Sequence, residues 1–194
     1  PEMEFTETLG LDLEKAREDI RQRLEVLKES SVATASYDRL KLRQEAAEVE
    51  GLLGRAHKQL YIDAGPTPEN PMPKLAHKAL AHYEPAYRAA PIDNIWHGIN
   101  YVALRNHLLR LTRKSSSERD EEADTVAREI IENTKFLESR GLISAWDYAS
   151  RAEALLAINR FEEAEEALKL YVNHTEVDSF SLESTARQFR ELWG

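Results

Sequence analysis

Residues Trp96 to Leu111, WHGINYVALRNHLLRL, are the stretch of this chain with the least freedom. Trp96, Ile99, Val102 and Ala103 recur at helical spacing, and Leu104, Leu108, Leu109 and Leu111 continue the apolar positions. A helix this apolar is nearly buried, so the rest of the chain has to be arranged around it. Gly98 lies inside the pattern, where a glycine costs about 1 kcal/mol against alanine. Such a glycine permits the close approach of another backbone or marks a first turn. The stretch also inverts the local charge. From Asn94 to Ser117 there is no acidic residue, while Arg105, Arg110, Arg113 and Lys114 are basic, in a chain of net charge -9.

The flanking sequence reads as helix after helix. Leu11 to Val32 opens with Asp12 as N-cap and places Leu13, Ala16, Ile20, Leu24 and Leu27 on one stripe. Ser31 to Ser36 reads as a turn. A second helix from about Tyr37 to Tyr61 carries Leu42, Ala46, Val49, Leu53, Ala56 and Leu60, and pairs with the first as an antiparallel hairpin. Asp63 to Pro73 holds four prolines and a glycine, which makes it a loop. Lys74 to Ala89 is helical with Leu75, Leu80, Tyr83 and Tyr87 on one side, and Pro85 predicts a kink or an early end. After the Trp96 helix, Ser117 is the expected N-cap of a helix running to about Arg140. That helix turns Ala123, Val126, Ala127, Ile130, Ile131 and Phe136 inward and ends at Gly141 as its C′ residue. Ser144 caps the next, whose face holds Tyr148, Ala152, Leu155 and Leu156. A short Asn159-Arg160 turn leads into Phe161 to Asn173, and a last helix spans Ser179 to Trp193. The reading is all-α, about eight helices with no strand. It divides into a hairpin over 1–62, a proline-rich loop over 63–73 and helical repeats over 74–194, all within one continuous domain.

Composition removes several function classes. Seven glycines and seven prolines in 194 residues disfavour a turn-rich β fold. With no cysteine, disulfides, thiolate catalysis and cysteine zinc sites are excluded. No apolar run approaches a membrane span, and PEMEFTETLG has neither the basic nor the apolar region of a secretory signal. These features fit a cytoplasmic chain, and the missing initiator methionine fits an excised piece of a longer protein. The acidic balance argues against nucleic-acid binding, which needs clustered Lys and Arg.

Self-similarity points to a solenoid. In Ser144 to His174, Tyr148, Ala152 and Leu155 take the large-small-large positions of a first tetratricopeptide-like helix. Phe161, Ala164 and Leu168 take those of the second. Small residues let the two helices of a repeat approach closely. Trp96 to Phe136 forms a second such pair with a longer turn, and stacking of open apolar faces completes the core. The blocks EGLLGRAHKQLY (Glu50 to Tyr61), HYEPAYRAAP (His82 to Pro91), GIN (Gly98 to Asn100), WDYASRAEALLAINRFEEAEEAL (Trp146 to Leu168) and STARQFREL (Ser184 to Leu192) resemble, in this order, the tetratricopeptide-type TRAF-binding domain. That domain occurs in apoptosis signal-regulating kinases and in bacterial multidomain proteins. The resemblance covers about Glu45 to Leu192. Trp96-His97 before GIN and the long basic turn after Leu111 depart from its pattern. It implies a regulatory or scaffolding solenoid of a bacterial signalling or defence system, acting on a protein partner or a fused effector domain.

The candidate partner-binding residues are Trp96, Asn100, Tyr101, Arg105 and Trp146. Trp96, His97, Asn100 and Tyr101 form an aromatic and polar cluster able to line a groove, and Trp146 with Asp147 joins it at the start of the next helix pair. The plainer alternative for Asn100 is a structural bond to a neighbouring backbone. The candidate anion-binding residues are Arg105, Arg110, Arg113 and Lys114, since arginine captures carboxylate or phosphate with two parallel bonds. That patch makes sensing of a small, nucleotide-like anion the alternative function. Its plainer reading is a solvated helix end paired with Asp120, Glu121 and Glu122. His77 and His82 are five apart, off the spacing of a metal pair. There is no nucleophile elbow or phosphate loop, and the acidic run Glu162 to Glu166 is a solvated face. The chain therefore reads as non-catalytic, without cofactor or metal.

Overall fold

The computed structural model describes the backbone of residues 2–28, 33–113, 115 and 118–194, and their side chains apart from those of 2–10, 28 and 33–37. Among the described residues there are eight α-helices and no strand. They are α1 (Glu2–Lys28), α2 (Ala33–Asp63), α3 (Pro73–Ala89), α4 (Ile95–Thr112), α5 (Glu121–Ser139), α6 (Ala145–Ala157), α7 (Phe161–Val172) and α8 (Ser179–Gln188). A π-helical turn, Phe189–Trp193, continues α8. Consecutive helices from α1 to α7 pack on one another as the successive pairs of a tetratricopeptide-like solenoid.

The Trp96 stretch is α4, and it is the most surrounded helix. It packs on α3, α5, α6 and the π turn, and His97 Nε2 also reaches the Ala47 carbonyl on α2 at 2.8 Å. Every residue from His97 to Leu104 is buried. Gly98 explains one of these packings. A Cβ there would lie 2.5 Å from the Tyr87 ring and 3.1 Å from Ile130, so the glycine admits an aromatic ring from α3 rather than a backbone. One apolar cluster then runs from Tyr61 on α2 through Tyr83, Ile99, Val102, Ile130 and Leu155 to Leu192 in the π turn.

Turn chemistry sets the later boundaries. Gly141 (φ +68°) follows α5, with the Leu142 amide donating to the Leu137 carbonyl at 2.9 Å and the Gly141 amide to that of Glu138 at 3.0 Å. Only a residue at ease in the left-handed region closes a helix this way. Ser144 and Asp147 form a reciprocal capping box at the start of α6.

Several sequence expectations are corrected. α1 begins at Glu2, not Leu11, so Asp12 sits mid-helix, 3.5 Å from Lys15, rather than capping it. Acidic residues ahead of Leu11 suit the helix dipole, and Gly10 is carried at its modest cost. α2 begins at Ala33, so Ala33 to Ser36 are helix rather than turn; Ser31 and Val32 lie outside the described residues. α3 runs past Pro85 to Ala89, because Tyr83, Ala86 and Tyr87 on either side of the proline are buried in the core. Ser117 is outside the described residues. α5 is capped instead by Asp120, whose Oδ1 accepts from the Ala123 amide at 3.0 Å. Phe136 is 47% exposed and lies under the Arg140 guanidinium, while the neighbouring Leu137 packs on the core.

Candidate functional site

A cavity of about 400 Å³ opens where α2, α4, α6 and α8 meet. Each helix gives it one face. α4 contributes Trp96, Ile99 and Asn100, and α6 contributes Trp146, Ala149, Ser150 and Glu153 at i, i+3, i+4 and i+7. Lys58 and Arg55 come from α2, and Phe180, Thr185 and Gln188 from α8. Its volume lies within the range of small-ligand pockets.

The mouth is aromatic. Trp96 is 39% exposed, edge-on to Tyr83 at 5.8 Å and to His97 at 5.2 Å. Trp146 is 42% exposed and tilted against Tyr171 at 6.3 Å, while Phe180 stands out at 70%. Tyr171 in turn shares a 2.9 Å hydroxyl bond with Thr185, tying α7 to α8.

The floor is polar and buried. Lys58 Nζ donates to Asn100 Oδ1 and to Gln188 Oε1, both at 2.7 Å. Asn100 Nδ2 donates to the Trp96 carbonyl at 2.8 Å, so this side chain is oriented by its own helix and by α2. Glu153 Oε2 accepts from Trp193 Nε1 at 2.8 Å and from Gln188 Nε2 at 3.2 Å. Burial sets the electrostatics. Loss of water lowers the Lys58 ammonium to about 8, against the pull of Glu153 and Glu191 and with help from Arg55 and Arg187. Burial likewise raises the Glu153 carboxyl to about 7, with the bonds from Trp193 and Gln188 and the charge of Lys58 opposing it.

The residues singled out in the sequence divide into separate places. Trp96, Asn100 and Trp146 come together at the cavity. Tyr101 is buried elsewhere on α4, where its hydroxyl accepts from Arg105 at 2.6 Å. Arg105 donates to Asp120 at 2.7 Å and Glu122 at 2.5 Å, and its guanidinium lies over the Tyr101 ring. Against the effect of burial, the Asp120 carboxylate and the Tyr101 hydroxyl hold Arg105 above its ordinary range. Arg110 donates to the Leu192 carbonyl and covers the Trp193 ring. Its burial, with Arg113 nearby, lowers its affinity for the proton. Arg113 is the exposed C-cap of α4, and Lys114 lies outside the described residues.

The sequence reading missed Lys58, Glu153 and Gln188. One signal was present: Gly51, Gly54 and Lys58 share a face of α2, so the lysine follows two residues small enough to be buried at a helix crossing. Glu153 stands alone in the apolar run AEALLAI, seven residues after Trp146. Nothing comparable marks Gln188. Among the described residues no three histidine, aspartate or glutamate side chains gather as a metal site, and no helix is long and apolar enough to cross a membrane.

Comparison with known proteins adds the lineage. The family described as Tetratricopeptide Repeats-Sensor matches residues 2–105, more than half of the chain. The chain belongs to this family. No curated protein and no solved structure matches it. Within this sensor-family chain the matched span ends inside α4. It supplies Arg55, Lys58, Trp96 and Asn100 to the cavity, while Trp146, Glu153 and Gln188 come from beyond it.

Proposed function

We propose that the chain is a non-catalytic sensing and docking module, and that the cavity between α2, α4, α6 and α8 is where it receives its partner. The observation that carries this reading is the convergence of Trp96, Asn100 and Trp146, from two separate helix pairs, on one cavity with an aromatic mouth and a buried polar floor. Aromatic side chains left half exposed beside a concave site supply large contact area at low entropic cost, the usual anchor of an interface. The partner is a protein, or another domain of a longer chain, that inserts a projecting group between the tryptophans. The resemblance of five sequence blocks to the tetratricopeptide-type TRAF-binding domain supports a place in bacterial signalling or defence, with an effector under the module's control. A fold alone does not assign this; the residues of the site carry it.

The test is affinity capture from the source cells, with wild type, Trp146→Ala and Arg113→Ala as parallel baits. A protein retained by wild type and Arg113→Ala but lost from Trp146→Ala supports docking at the cavity. Equal retention by all three baits places the working surface elsewhere.

A further inference from the structure

The floor of the cavity is already being read by a group from the chain itself. Lys58 and Glu153 do not touch in an ion pair; the carboxamide of Gln188 lies between them. Its Oε1 accepts from Lys58 Nζ at 2.7 Å, its Nε2 donates to Glu153 Oε2 at 3.2 Å, and the same Nε2 lies 3.5 Å from Asn100 Oδ1. Oxygen faces the cation and nitrogen the carboxylate, which is the orientation a ligand amide would take.

The pair selects for that chemistry. Arg55, Arg187 and Glu191 add charge of both signs to the walls, but at the floor itself a ligand carboxylate meets Glu153 and an ammonium meets Lys58. A neutral dipole with acceptor and donor on adjacent atoms satisfies both without adding a charge to a buried site. Bonding capacity also remains on both sides. Among the described residues the third Lys58 hydrogen has no acceptor, and Glu153 Oε1 accepts nothing. The ring-lined mouth above the floor suits a flat, apolar body attached to the amide.

The group now in place belongs to a sparsely anchored element. α8 leaves Phe180 and Leu182 exposed at 70% and 41%, and only Ser181 and Thr185 of its residues are buried. What ties it and the following π turn down is Gln188, the Tyr171–Thr185 bond, buried Leu192 with its carbonyl on Arg110, and Trp193 between Arg110 and Glu153.

We propose that Lys58 and Glu153 form a carboxamide-recognition site, that Gln188 of α8 occupies it in cis, and that a small aromatic carboxamide enters by displacing Gln188. This rests on the cavity being the docking site and adds the chemical class of ligand. Entry would turn occupancy into movement of the C-terminal helix, which is the output a sensing module needs.

The probe is benzamide, with methyl benzoate as the control that keeps the ring and loses the N–H donors. Affinities for the full chain are measured by ligand-observed NMR, alongside backbone hydrogen exchange over residues 179–193. Wild type is expected to bind benzamide and not methyl benzoate, with faster exchange in 179–193 on binding. If the cis group fills the site about nine-tenths of the time, Gln188→Ala binds benzamide at least about tenfold more tightly. Equal binding of the ester and the amide, or no benzamide binding by either protein, overturns the proposal. Should Gln188→Ala fail to fold, the wild-type exchange decides: unchanged rates in 179–193 with benzamide present overturn it as well. The two readings fail separately. A partner captured through Trp146 by a chain blind to benzamide leaves docking standing and removes the carboxamide; benzamide binding with partner capture indifferent to Trp146 does the reverse.

Discussion

Two charged clusters sit beside the same central helix and differ in one respect. Around Arg105, the charge is matched directly by carboxylates of the fold. The guanidinium takes Asp120, Glu122 and the Tyr101 hydroxyl, and Asp120 uses its other oxygen to cap α5. Around Lys58 and Glu153 the groups are more deeply buried, yet they are joined only through uncharged Asn100 and Gln188, and they face a cavity. The first cluster is closed and fastens α4 to the start of α5. The second retains unmatched capacity at a point where material can enter. Burial of charge is expensive unless it is paired, so an unfinished pair at a cavity is a stronger indication of function than a complete one.

The sharpest way to break this contrast is to remove one charge from each cluster. Lys58→Met leaves the carbonyl oxygens of Asn100 and Gln188 without their donor and Glu153 without its cation, a loss of roughly 3 kcal/mol in urea unfolding. Adding Glu153→Gln should recover much of that loss, because no uncompensated charge then remains. Arg105→Met should cost less, about 1 to 2 kcal/mol, since Asp120 keeps its bond to the Ala123 amide and Glu122 is open to water. If Arg105→Met proves the costlier change, the closed cluster is the one under greater electrostatic demand and the contrast is reversed.

A smaller effect is the pH response of the open cluster. The folded state holds the Glu153 proton more tightly than the ordinary 4.5, up to about 7. Its contribution is therefore fully present below pH 4.5 and is lost as pH rises through 7. Relative to Glu153→Gln, wild type should lose stability over that window, by at most about 1.4 kcal/mol per pH unit for a single proton. Lys58 works in the opposite sense: its pKa falls from 10.5 to about 8, so wild type regains stability relative to Lys58→Met as pH rises from about 8 to 10.5. Unfolding free energies that run parallel for wild type and both variants would mean that neither group is perturbed.

The sequence disclosed the solenoid because its signals are local. Periodicity located the helices, the Ser144 cap and Gly141 stop were visible as single residues, and the small residues of α6 and α7 announced a close pair. Its errors were also local. Asp12 looked like a cap because nothing nearby competed with it, and Phe136 looked inward because it neighbours Leu137, which is the residue that packs on the core. Half the candidate site was legible: aromatic Trp96 and Trp146 stand out at helix starts, and polar Asn100 stands out inside an apolar helix. Lys58, Glu153 and Gln188 did not, because their meeting spans 130 residues from Lys58 to Gln188 and depends on how four helices cross. The basic run on α4 drew notice by its charge, yet charge along a chain does not tell which arginine will find a carboxylate in space.

The smallest expected effect on stability tests the cavity most directly. Trp146 is 42% exposed at the mouth and takes no part in the bonds of the floor. Truncating it to alanine removes a ring that is less than half in water and leans on Tyr171, so the loss in unfolding should be about 1 kcal/mol. Binding should respond very differently, because an aromatic anchor at the centre of an interface commonly accounts for 2 kcal/mol or more, roughly a thirtyfold loss of affinity. The separation of the two readouts is the point. A residue kept for packing loses stability and binding together, whereas one kept for recognition loses mainly binding. Were Trp146→Ala to unfold the chain as readily as Lys58→Met, the tryptophan would belong to the same structural set as the floor. The mouth would then have no claim to be anything but the edge of the core.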